Sequence, residues 1–303
     1  MIKLKKMNSS IINFLKILLV IFVFYFLYQN NHLNLESLIS FRGNFVLNLF
    51  LIFLVLTTLL IGTYRWFLIL RFSKIKINFL EVLKIMYICS FYNNFMFGNI
   101  GGDVLRVFYS YKFSKKNKIK NAFTIFVDRF FGFIGLTCLG LFSYSIILIN
   151  KTEYDILIFL LVSFFIFLII IIFFIKFFKK NKKFLNLLNF LNLNKKLFFI
   201  GVIISILLFF TVHLTIYFIS NYVYEFNIQL NYIFFANFIS SLVGSIPITP
   251  GGMGLSEAAF VFVNNSILKI YLNNLANILI YYRLVIFIFS IPSIYFFFRY
   301  KRK

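Results

Sequence analysis

Residues 247–257, Pro-Ile-Thr-Pro-Gly-Gly-Met-Gly-Leu-Ser-Glu, break a run of apolar residues and fix what the chain around them can be. They hold two of its three prolines, three glycines and one of only eight acidic residues. Non-helical backbone at membrane depth leaves N–H and C=O groups without partners. Such a break is tolerated only where protein or a water-filled cavity covers it. The rest of the chain must therefore enclose this stretch.

The flanking composition places the break in lipid. Hydrophobic residues make up 62% and charged residues 13%, about half the usual charged share of roughly 25%. Several apolar runs reach the roughly 20 residues that a helix needs to cross a bilayer. The expected fold is an all-α polytopic membrane protein, one integral domain over residues 1–303. The net charge of +23 does not indicate a nucleic-acid partner, because the basic residues gather in short segments between apolar runs, as cytoplasmic loops do. Cys89 and Cys138 form neither a metal spacing nor a disulfide framework, and no cofactor motif is present.

Reading along the chain, helices are expected at about 11–28, 45–64, 128–149, 156–178, 197–220 and 275–298. The first is a retained helix and not a cleaved signal, since no small-residue cleavage site follows Tyr28. Five basic clusters contain 23 of the 31 Lys and Arg, among them Arg65, Arg71, Lys74 and Lys76 after helix two. Assigning these clusters to the cytoplasm puts both termini inside. Two stretches must then return to the face they left: 79–111, with its bend at 98–102, and 232–263, with the Pro-Gly break at its tip. The expectation is six full spans plus two re-entrant hairpins entering from opposite faces of the cytoplasmic membrane. The halves 1–152 and 153–303 would share one plan in inverted orientation, a recurring arrangement in transporters with broken helices.

Six ionisable residues lie away from the loops: Asp103, Arg106, Asp128, Arg129, Glu257 and Arg283. Each would cost about 2.5–3.5 kcal/mol at a helix centre, so they must pair or reach water. Asp103 and Arg106, spaced i, i+3, can meet on one helical face. The adjacent Asp128 and Arg129 must look elsewhere. One reading is a structural ion-pair network; the other is a charged cavity for a headgroup. Three acids against three arginines suit a zwitterionic headgroup. Gly101-Gly102 and Gly251-Gly252 permit positive φ and close backbone approach, and both precede expected helix starts, where free N–H groups favour a phosphate. They would equally allow close helix packing. Glu257, in the first turn after Ser256, is a candidate helix cap or the partner of a cation. His213 is expected to pack. Ser256, His213 and an acid lack a nucleophile-elbow pattern, so no catalytic residue is expected.

The order of these residues resembles the lysylphosphatidylglycerol synthase transmembrane-region family, a flippase-like membrane domain. The similar segments are Asn93-Asn94-Phe95-Met96-Phe97-Gly98-Asn99-Ile100-Gly101-Gly102-Asp103-Val104-Leu105-Arg106, then Asp128-Arg129 with Gly132, then 247–257 ending in Glu257, and finally Arg283. Phe97 stands where family members often carry proline. The resemblance implies a protein that moves a phospholipid or lipid-linked substrate between leaflets. It implies substrate contacts at Asn94, Gly101, Gly102, Asp103, Arg106, Asp128, Arg129, Pro250, Gly251, Gly252, Gly254, Glu257 and Arg283. The tRNA-dependent aminoacyl transfer of bifunctional relatives is not expected without their soluble domain. The alternative is a membrane subunit or enzyme of phospholipid modification or lipid-linked glycan synthesis. A separate synthase or transferase and a second copy of the chain are the candidate protein partners.

Overall fold

A computed structural model describes residues 9–34, 45–95, 100–113, 118–149, 195–246 and 248–301. Ten α-helices follow in order: α1 Ser9–Gln29, α2 Phe45–Phe72, α3 Phe79–Phe95, α4 Ile100–Ser110, α5 Lys118–Ile149, α6 Lys195–Phe218, α7 Leu230–Gly244, α8 Leu255–Phe262, α9 Leu275–Ser290 and α10 Ser293–Lys301. Short π-helical turns extend α6 over Ile219–Val223 and α8 over Val263–Ile267. No strand occurs among the described residues. This is the all-helical membrane architecture expected, for the reason that a helix satisfies its own backbone bonds without water.

The segments 156–178 (the expected fourth helix), Gly98 at the first bend, and Pro247 lie outside the described residues. Three other boundaries differ from expectation. The second helix continues two turns past residue 64 to Phe72, which takes Arg65 and Arg71 out of a loop and into α2. The third begins ten residues early, at Lys118. The last is interrupted at Ile291-Pro292 before α10 starts, because a proline ring lacks the N–H and clashes with the preceding turn.

Of the three longest apolar helices, α5 is the most enclosed. Half of its spanning window is buried, against 22% for α2 and 28% for α6. Phe45, Val46, Leu49 and Phe53 of α2 and Phe199, Ile203 and Leu207 of α6 are exposed instead, at helical spacing, as lipid-facing surface. Around α5 pack α2, α4, α6 and α7, while α9 touches α2, α3 and α8. The two hairpins are formed by the packing of α3 on α4 and of α7 on α8. The end of α1 meets the start of α9: Asn274 N donates to Asn31 O (2.9 Å) and Ala276 N to His32 O (3.1 Å). These two ends therefore share one face of the molecule, as loop parity requires.

The α5–α6 seam depends on Gly135, where an added Cβ would lie 2.7 Å from the Ser205 carbonyl carbon. Backbone cannot swing aside as a side chain can. Gly135→Ala should thus lower stability by about 1–3 kcal/mol, seen as an earlier thermal loss of the monodisperse peak of detergent-purified protein. An unchanged midpoint would contradict the close approach.

Candidate functional site

One charged cluster joins α2, α4 and α5. Asp128, 2% exposed, accepts from Arg65 Nε at 2.7 Å and from Arg106 Nη2 at 2.8 Å. Arg65 also donates from Nη1 to Ser205 Oγ of α6 at 2.9 Å. Arg106 reaches back one turn to Asp103 Oδ1 at 3.2 Å. Arg129 then lays Nε and Nη2 on the two oxygens of Asp103, at 2.8 and 3.0 Å, a forked contact that fixes the orientation of both planes. The result is a chain of alternating charge, Arg65–Asp128–Arg106–Asp103–Arg129. The Arg106 guanidinium also sits 4.2 Å from the centroid of Trp66, the chain's single tryptophan, where the ring face attracts a cation.

The second cluster ties the Pro-Gly break to α9. Glu257 is fully buried and accepts from Arg283 Nε at 2.6 Å and from Ser256 Oγ at 2.9 Å. Arg283 also donates from Nη1 to the Gly251 carbonyl at 2.8 Å and from Nη2 to Ser256 Oγ at 2.6 Å. One guanidinium thus holds a carboxylate, a hydroxyl and a backbone carbonyl of the same irregular segment. Gly252 lets the segment fold this tightly. Its φ is +73°, and an added Cβ would stand 2.8 Å from Gly244 Cα at the end of α7. Gly252→Ala should therefore cost more than about 1 kcal/mol, with a visible fall in the thermal midpoint of the purified protein. A variant as stable as wild type would mean that Gly252 and Gly244 do not approach this closely.

Between the clusters lies a cavity of about 540 Å³. Arg65 and Arg129 line it from the first cluster and Arg283 from the second, with Asn237, Ser241 and Ser245 of the second hairpin among its polar lining. Phe133, Leu136, Phe209, Leu279 and Ile286 supply an apolar wall. The cavity's size falls in the range of ordinary ligand sites, and about half of the lining residues are polar or charged.

The six charged residues named from sequence all enter these two clusters, and Gly251 lines the cavity. Pro250, Gly252 and Gly254 shape the break without lining it, the last with φ +82°. At the expected phosphate-binding helix starts, part of the backbone N–H set is already bonded. Gly252 N, Met253 N and Ser256 N already donate to carbonyls at Thr249, Pro250 and Gly252. Gly101 and Gly102 lie within the first turn of α4, and Gly102 N donates to Asn93 Oδ1 at 3.0 Å. At the second break the turns occupy those three amides, and Arg283 adds a full positive charge beside them. Nor does Glu257 cap its own helix; Arg283 and Ser256 take its oxygens. Asn94 lies in the last turn of α3, but its neighbour Asn93 makes the bond between the arms.

Arg65 was missed. Following an apolar run and accompanied by Arg71, Lys74 and Lys76, it reads as a loop charge, yet it is 8% exposed and bonded to Asp128. The clusters therefore hold four arginines against three acids, and the neutral balance inferred from sequence becomes an excess of one positive charge. His213 is fully buried, its Nδ1 bonded to the Phe209 carbonyl at 2.5 Å, in keeping with packing. No group of three or more metal-ligating side chains occurs among the described residues.

No curated protein matches this sequence. The family model described as "Lysylphosphatidylglycerol synthase TM region" matches residues 13–293. A match over nearly the whole chain makes this membrane protein, in which the Asp-Arg and Pro-Gly segments share one cavity, a member of the lysylphosphatidylglycerol synthase transmembrane-region family.

Proposed function

We propose that the chain moves a phospholipid or a lipid-linked headgroup between the leaflets of the cytoplasmic membrane. The observation that carries this reading is the cavity, where Arg65, Arg129 and Arg283 converge beside an apolar wall. A lipid phosphate finds charge-assisted donors there, and its acyl chains find Phe133, Leu136 and Ile286. Both hairpins are held by the same ion pairs that present these arginines. A change in headgroup occupancy would therefore act on the broken helices directly, as in transporters whose sites lie between discontinuous segments.

The test is leaflet exchange of labelled phospholipid in proteoliposomes. Wild-type protein should exceed an Arg129→Gln variant, which removes one guanidinium of the lining, by about tenfold, the effect of losing ~1.4 kcal/mol of headgroup binding. Equal rates, with both proteins folded, would exclude the transport reading. Orientation is tested separately in a background without Cys89 and Cys138. A cysteine at the exposed Lys76 should label from the cytoplasm and one at the exposed Tyr271 from outside; the reverse pattern would overturn the proposed topology.

A further inference from the structure

We propose that the cavity selects a lipid headgroup of net negative charge, a phosphate ester with no compensating amine. The inference rests on the reading of this cavity as a headgroup site and goes beyond it in naming the charge class. It arises from the orientation of the carboxylates. Among the described residues, the lining contains three arginines and no carboxylate. Asp128 spends both oxygens on Arg65 and Arg106, Asp103 spends both on Arg106 and Arg129, and Glu257 spends both on Arg283 and Ser256. Each acid thus backs an arginine from behind and holds the guanidinium in place. A headgroup ammonium would meet those cations with no carboxylate facing it, and like charges in a weakly screened site repel strongly.

A second observation points the same way. Asn237 lines the cavity and is 3% exposed, and its Nδ2 has no hydrogen-bond acceptor among the described residues. A buried donor left unmade costs free energy that an incoming acceptor recovers. Nδ2 itself is closed to solvent, so an oxygen reaches it only when the wall shifts as a headgroup enters, and the N–H then adds a donor beside the arginines. Phosphate oxygens satisfy both demands. The apolar side of the cavity, with Phe133, Leu136 and Ile286, favours a phosphate that carries acyl or other hydrocarbon chains over a free one.

The experiment is retention of fluorescently labelled phosphatidylglycerol by the full chain in neutral detergent, with unlabelled competitors. Unlabelled phosphatidylglycerol should compete at least about tenfold better than phosphatidylcholine or a cationic ammonium lipid, the scale of one hydrogen bond to a charged group. Soluble glycerol phosphate should compete more weakly than the lipid; equal competition would assign the site to a free anion and overturn the lipid source. Asn237→Leu, which removes the unpaired donor without touching the ion pairs, should fold normally and narrow the preference. Arg129→Gln should narrow it further. Equal competition by all three lipids, or stronger competition by the cationic one, would overturn the proposal. Leaflet exchange without this preference also overturns it. The preference without leaflet exchange supports it and removes only the transport reading.

Discussion

Asp128→Asn is expected to be the most damaging single substitution in the chain. It leaves Arg65 and Arg106, 8% and 4% exposed, around a neutral amide. Removing one partner of a buried pair costs about 3–5 kcal/mol, because the remaining charge is neither solvated nor compensated. Against a typical stability of about 5–15 kcal/mol, that is a large share. The expected result is a poor yield of monodisperse protein in detergent and a strongly lowered thermal midpoint. Asp103→Asn provides the control. Its carboxylate is 20% exposed and its forked partner Arg129 is half exposed, so water can replace much of what is lost and the midpoint should fall less. If the two variants are equally stable, or Asp128→Asn resembles wild type, the central position of Asp128 is wrong.

The second large effect concerns Glu257 and Arg283. Glu257→Gln or Arg283→Gln alone should each cost several kcal/mol by the same logic, with Arg283→Gln also releasing the Gly251 carbonyl and Ser256. Glu257→Leu with Arg283→Met removes both charges and should be markedly less harmful than the two single losses combined. Pairs in direct contact show coupling of about 0.5–3 kcal/mol, and buried pairs often tolerate apolar replacement. This double variant also separates two meanings of the cluster. A scaffold predicts that the stable apolar pair keeps leaflet exchange; a headgroup site predicts a folded protein that has lost it. Strictly additive single losses would show that the two residues do not act as a pair.

Some elements are readable from sequence because lipid leaves the backbone little choice. The run at 45–64 falls within α2 and that at 197–220 within α6 and its π-helical extension, since an apolar segment in a bilayer must close its own hydrogen bonds. The break before Glu257 is where α7 ends and α8 begins. The candidate charges were also identifiable, because an ionisable residue inside an apolar run requires a partner. Helix ends near the interface were less readable. Arg65 sits beyond an apolar run, and at that depth a basic side chain is equally acceptable to water and to a buried carboxylate. The helical continuation of α2 to Phe72 and the packing of α5 and α6 decide the matter.

By itself, then, the sequence determined that this protein is an all-helical membrane domain with two broken segments and six charges needing company. Hydropathy and the cost of burying charge act on each segment alone. Which charges pair, that a fourth arginine joins them, and that the carboxylates face away from the cavity were decided only by the tertiary structure. Those facts depend on the rotation and depth of each helix against its neighbours. Close approaches such as Gly135 to Ser205 and Gly252 to Gly244 set them between residues far apart in the chain or across a break, where no local pattern records them.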